Sequence, residues 1–169
     1  MKRPRVAGLN SNRVARLSDA AIQCRIPTAI HKCSTWVNIR CKLLRRVGQD
    51  SVQINKQCTG RPYRYLYAAE QPAPDEMRGV MRYDWHSDKL ERYEVPFGDQ
   101  NSEPVSVPRR AATEEDDGWL LCCVYRRVTH TSDVVVLNAR DVAAGPVATV
   151  HLPTRIPAGF HGAWLANEN

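Results

Sequence analysis

From about residue 60 onward, short apolar runs alternate with turn signals at even spacing. An all-β chain produces that rhythm and a helical bundle does not. Strands are expected near 63–69 (YRYLYAA), 78–84 (RGVMRYD), 90–95 (LERYEV), 104–108 (PVSVP), 119–126 (WLLCCVYR), 133–139 (DVVVLNA) and 147–152 (VATVHL). The breaks hold Pro72 and Pro74, His86-Ser87-Asp88, Gly98-Asp99-Gln100-Asn101 and Gly145-Pro146. Asp117-Gly118 is a hairpin-type dipeptide. The runs 119–126 and 133–139 are almost continuously apolar, which predicts that both their faces are covered. Short strands of this kind suit a β-sandwich or the blades of a propeller, and the pattern alone does not choose between the two.

Charge divides the chain differently. Residues 1–48 carry eleven Lys and Arg against one acid, Asp19, whereas the remainder carries thirteen against seventeen. The net charge of +6 therefore belongs to the head. Such a basic segment can contact polyanions, so a stand-alone binding module built on residues 1–48 is one reading of the chain. The head has no interleaved aromatics and no nucleic-acid motif, so a nucleic-acid partner is not expected. No apolar run approaches the length of a membrane span, although this leaves association with a membrane surface open. No apolar stretch of a secretory leader follows the basic start, so a cytoplasmic location with reduced thiols is expected. The six Cys form no CxxC pair, which argues against a zinc ribbon.

The motifs lie in the acidic remainder, residues 49–169. INKQCTGRPYRYLYAA is followed by RYDWHSDKLERYEVP, SEPVSVPRRAATEEDDGWLL, VLNARDVAAGPVATVHLP and RIPAGFHGAW. This ordered set resembles the carotenoid cleavage oxygenases, a family that includes lignostilbene dioxygenases and the retinal pigment epithelium isomerohydrolase. The resemblance runs from about Gln53 to Trp164 and is specific as an ordered set rather than in any single piece. It implies a seven-bladed β-propeller with Fe(2+) held on its axis by four His, whose rings are hydrogen-bonded by outer Glu residues. It also implies a reaction in which O₂ is inserted across a C=C bond of a hydrophobic polyene or stilbene, releasing two carbonyl products. One branch of the family isomerises and hydrolyses retinyl esters instead.

On this reading the chain is a partial β-propeller, about the last two blades, with an irregular N-terminal segment. Residues 1–48 have the wrong composition for propeller strands and read as a mistranslated or disordered start. The chain is then a C-terminal fragment of a non-haem Fe(II) dioxygenase and inactive alone, because the other three His ligands would lie upstream.

His161, in Gly159-Phe160-His161-Gly162, matches the family's last iron ligand, and its glycines let the backbone approach the axis. Glu103, in Ser102-Glu103-Pro104, matches a carboxylate that accepts a hydrogen bond from a ligand imidazole. Asp50 falls where the family carries a second such Glu, but it is one methylene short and the Phe-Pro after it has become Ser51-Val52. No residue is assigned a direct catalytic role. Glu114-Glu115-Asp116-Asp117 lacks the alternating oxygen spacing of a calcium loop and is expected to be a solvated turn. His31, His86, His130 and His151 match no ligand position.

Overall fold

The computed structural model describes residues 52–73, 76–159 and 161–166, and their regular elements are antiparallel strands apart from one 3-10 turn, Lys56–Cys58. The first sheet runs β1 (Val52–Gln53), β2 (Tyr65–Glu70), β3 (Gly79–Asp84) and β4 (Lys89–Glu94), in that spatial order. In the second, β7 (Gly118–Arg126) pairs with both β5 (Gln100–Asn101) and β6 (Val105–Pro108) on one side. Its other side pairs with β8 (Thr131–Asn138), which pairs in turn with β9 (Asp141–Leu152). Apart from β5, which pairs with β7 alongside β6, consecutive strands within each sheet are neighbours, so each sheet is essentially a meander.

The two sheets meet across a shared core. Tyr67 and Val80 of the first sheet pack with Leu120, Cys122, Val124, Val135, Leu137 and Val142 of the second. Period-2 alternation sends Leu66, Ala68, Met81 and Tyr83 to the opposite face of the first sheet, where Val52, Ile54, Trp85 and Leu90 cover them. All six residues of β3 are therefore buried.

Four expectations from sequence need correction. β7 and β8 are not covered equally on both faces. Gly118, Leu120, Cys122 and Val124 are buried, whereas Trp119, Leu121, Cys123 and Tyr125 are only half-buried. That second face looks onto a cavity and the irregular segment that follows β9. Gly145-Pro146 does not end a strand. Gly145 adopts φ 84° and the register jumps from Asn138↔Asp141 to Leu137↔Pro146, so the pair forms a bulge within β9. Asp117-Gly118 does not turn a hairpin either: Gly118 opens β7, and any side chain there would run into the Val107 carbonyl. The stretch 98–101, read as a break, contains β5, because Gln100 and Asn101 pair with Tyr125 and Val124.

The end of β3 is fixed by one carboxylate. Asp84 accepts from Arg64 Nε at 2.9 Å and Nη2 at 2.6 Å, from Ser87 Oγ at 2.7 Å and from the His86 amide at 3.0 Å. The Arg64 hydrogen bonds, with those of Ser87 and His86 outweighing burial, hold its carboxyl well below the usual carboxylate range. Asp84→Asn is expected to cost about 1–2 kcal/mol at neutral pH, the half-exposed Arg64 end being screened by water. A group with a depressed folded pKa stabilises above its unfolded value and loses that contribution as pH falls toward the folded one. The gap between wild type and variant in urea titrations should therefore close only below about pH 4, the ordinary aspartate value.

Candidate functional site

The backbone on both sides of Glu103 is pinned before its side chain makes any contact. The Asn101 side chain donates from Nδ2 to the Gly79 and Ser102 carbonyls at 2.9 and 3.0 Å. The Ser102 amide donates to the Cys123 carbonyl at 2.8 Å, and the Cys123 amide returns a bond to Ser102 Oγ at 3.0 Å. Pro104 is fully buried and leads into β6. Glu103 is thus held in the short link between β5 and β6, anchored to the neighbouring strands of both sheets.

His161 arrives from the segment after β9. The Ile156 amide donates to Ser132 Oγ at 2.9 Å, and the Arg155 guanidinium lies 4.6 Å from the centre of the Tyr125 ring. Gly162 comes so close to β6 that a Cβ on it would sit 2.8 Å from Val105 Cγ2. That approach brings His161 Nδ1 to 2.9 Å from Glu103 Oε2, across 58 positions of sequence. The carboxylate is almost wholly buried, at 5% exposure, while the imidazole is 69% exposed. The ring and its carboxylate line one wall of a cavity of about 660 Å³.

A carboxylate only accepts hydrogen bonds, so this contact places the ring proton on Nδ1 and the lone pair on Nε2. A metal-binding imidazole needs that tautomer, and a carboxylate behind the ring also raises its basicity. Burial pushes the Cys122 thiol up to about 12 and raises Cys123 as well, so both remain protonated at neutral pH. The donor chemistry present fits a metal that accepts neutral imidazole, such as iron. Among the described residues no group of three or more His, Cys, Asp or Glu could hold a metal ion. Among those residues, His161 backed by Glu103 offers a single imidazole of this kind.

The remaining candidates separate cleanly. Asp50, the basic head and His31 lie outside the described residues. His86 packs edge-on against Trp85, with ring centres 4.2 Å apart, and His130 Nδ1 lies 2.7 Å from Tyr125 Oη. His151 also has a carboxylate on Nδ1, Asp133 at 2.8 Å, but that acid is already bound by Arg126 Nε at 2.6 Å. Arg126 in turn bridges to Asp99 at 2.9 Å, so this second pair belongs to a salt-bridge chain across the sheet.

The acidic run is not the solvated turn expected from its composition. Glu115 accepts the Arg64 and Tyr65 amides at 2.6 and 2.8 Å, and Asp116 takes a hydrogen bond from the buried Arg82 at 2.8 Å. Glu114 alone among the four is exposed. Gln53, which composition and pattern do not single out, donates from Nε2 to Glu103 Oε2 at 3.3 Å. A polar residue in a two-residue strand gives no periodic signal that would flag it.

Three comparisons bear on this arrangement. The family model described as retinal pigment epithelial membrane protein matches residues 5–166, which takes in part of the basic head as well as the β region. The apocarotenoid-15,15'-oxygenase of Synechocystis is 37% identical over 115 residues, covering 66% of this chain and 23% of that protein. The carotenoid 9,10(9',10')-cleavage dioxygenase 1 of Arabidopsis thaliana is 34% identical over 140 residues, covering 75% and 26% respectively. The solved structure of the cobalt-substituted Synechocystis apocarotenoid oxygenase superposes with a TM-score of 0.65 at 33% identity, covering 69% of this chain and 25% of that one. The chain thus spans about a quarter of the length of the relatives it matches. The two sheets are a part of the β-propeller of those oxygenases. Stand-alone polyanion binding by the head gains no support from these likenesses.

Proposed function

Because the chain belongs to the retinal pigment epithelial membrane protein family, the family of the carotenoid oxygenases, we propose that it supplies one ligand arm of a non-haem Fe(II) dioxygenase. In this reading His161 is an iron ligand, Glu103 orients it, and the complete enzyme cleaves C=C bonds of carotenoids, apocarotenoids or stilbenes with O₂. The observation that supports it is the contact of 2.9 Å between an exposed imidazole and a buried carboxylate. Bound Fe(II) would supply the redox chemistry that makes O₂ reactive toward an alkene. The chain's own residues prepare the place for it. Glu103 holds the proton on Nδ1 and the ring in one orientation, the pinned link between β5 and β6 fixes Glu103, and bare backbone at Gly162 lets the ligand segment close onto β6.

A hybrid tests the reading. Residues 53–166 replace the corresponding segment of the Synechocystis apocarotenoid oxygenase. The expected product is a folded protein that retains about one iron and splits an apocarotenoid into two carbonyl fragments with consumption of O₂. A folded hybrid that holds no iron would overturn the assignment. The 169-residue chain by itself is expected to bind Fe(II) weakly and to be inactive, since affinity follows ligand count and preorganisation. Anaerobic titration checks this, and a tight one-to-one site abolished in His161→Ala would contradict the single-arm reading.

A further inference from the structure

The carboxylate oxygen that meets His161 takes a second donor from the other sheet. Glu103 Oε2 lies 2.9 Å from His161 Nδ1 and 3.3 Å from Gln53 Nε2. We propose that Gln53 is a positioning residue for the His161 arm, acting through Glu103. The proposal rests on the reading of His161 and Glu103 given above and adds a third member to it.

Gln53 is well placed for this role. It closes β1, where it pairs with Tyr67 at the edge of the first sheet. Two residues on, the buried Asn55 donates from Nδ2 to the Glu115 carbonyl at 2.8 Å and accepts the Gln57 amide on Oδ1 at 3.0 Å. The chain after Gln53 is therefore tied to the turn that leads into β7. Gln53 reaches from one anchored sheet to the carboxylate of the other, so its amide reports the relative placement of the two.

The chemistry explains why an amide suits the position. The backbone around Glu103 is fixed, and the freedom that remains is rotation about its side-chain bonds. A carboxylate has two equivalent oxygens, and either could face the imidazole. A donor on Oε2 from a fixed direction selects one rotamer and so one direction for the ring. An amide does this without a charge, so it does not neutralise the carboxylate as an ion pair would, and the charge stays available to the imidazole N–H. Of the two bonds the one from Gln53 is the longer. Its contribution is therefore to orientation, and its removal should loosen the arm and leave the fold intact.

The tautomer of His161 reads this directly and needs no metal. Two-bond ¹H–¹⁵N spectra of the labelled 169-residue chain, recorded near pH 9 where an ordinary imidazole is neutral, give the ratio of Nδ1–H to Nε2–H. Wild type is expected to show mainly Nδ1–H, and Glu103→Gln to lose that preference. Gln53→Met keeps the volume and removes the donor; it should lower the ratio about threefold, a fraction of one net hydrogen bond. Gln57→Met, at an exposed position, should leave it alone. Backbone amide peaks from β7 and β8 establish that each variant is folded. If Gln53→Met does not fold, Gln53→Asn withdraws the donor by one methylene and should give the same fall. A wild-type ratio in the folded donor-less variant overturns the role of Gln53 while leaving the His161–Glu103 arm standing. A wild-type ratio in Glu103→Gln overturns the arm itself.

Discussion

His161→Ala in the hybrid oxygenase is expected to abolish iron content and turnover together. The side chain is read as a direct ligand, so its loss removes a metal bond and not merely the orientation of one. Glu103→Gln should behave differently. The imidazole remains, but the acceptor behind it becomes a neutral amide that can present either a donor or an acceptor to the ring. A loss of about 10–100-fold in metal affinity or activity is the usual size of such a change. Two controls make the series discriminating. Glu114→Gln, the exposed member of the acidic run, should change neither quantity. His151→Ala should also leave iron unchanged, although His151 too has a carboxylate on Nδ1, because that acid is engaged by Arg126. Iron analysis and O₂ uptake on the same preparations give the ranking. Equal damage from His151→Ala and His161→Ala would show that a carboxylate-backed His is not by itself the mark of the ligand. Full iron in His161→Ala would remove the oxygenase reading at its central residue.

The parts of this fold that were legible in the sequence are those with a local cause. Strands 65–70, 79–84 and 118–126 announce themselves as short apolar runs between turn residues, and each lies within two positions of where the pattern puts it. The ordered motifs placed Glu103 and His161 in one centre, and the structure puts them 2.9 Å apart. Spacing could not have done so, since 58 residues and three strand reversals separate them. What escaped was non-local or polar. β1 and β5 are two-residue strands whose pairing is decided by their partners, Tyr67 and Tyr125 among them, and not by their own propensity. Pro146 looks like a stop until the bulge with Gly145 is seen to absorb its missing N–H. The acidic run hides its role for a similar reason: composition says charged and therefore wet, but Arg82 sits on the opposing sheet and its position is invisible in one dimension. Gln53 has the same character, a polar side chain defined only by what lies across the gap.

That buried cation carries the second large effect expected here. Arg82 projects from β3 and is only 9% exposed along its side chain. It donates to Glu91 Oε2 on β4 at 2.7 Å and to Asp116 Oδ2 in the acidic run at 2.8 Å, with its guanidinium 4.1 Å from the centre of the Tyr65 ring. Arg82→Met keeps much of the aliphatic volume and removes the shared cation, leaving two largely buried carboxylates. Lys89 still reaches Glu91 at 2.7 Å, but Arg140 lies a longer 3.4 Å from Asp116. Breaking a buried pair by deleting one partner costs about 3–5 kcal/mol, because the desolvated charge left behind is uncompensated. Set against a total of about 5–15 kcal/mol for a typical domain, this would bring the chain close to unfolding under native conditions. Urea titration followed by the fluorescence of Trp85 and Trp119 measures it. Arg82→Met combined with Glu91→Leu and Asp116→Leu should recover most of the loss, since an apolar set of similar volume removes the unpaired charges along with the cation. The single variant also decides the nature of the turn. If Asp116 were held in a solvated loop, its pairing with Arg82 would be a surface contact worth less than about 1 kcal/mol, and Arg82→Met would scarcely move the midpoint. A large loss in the single variant that the triple variant reverses would identify the acidic run as the clasp by which the second sheet grips the first, with Glu115 on the Arg64 and Tyr65 amides and Asn55 on the Glu115 carbonyl completing the grip.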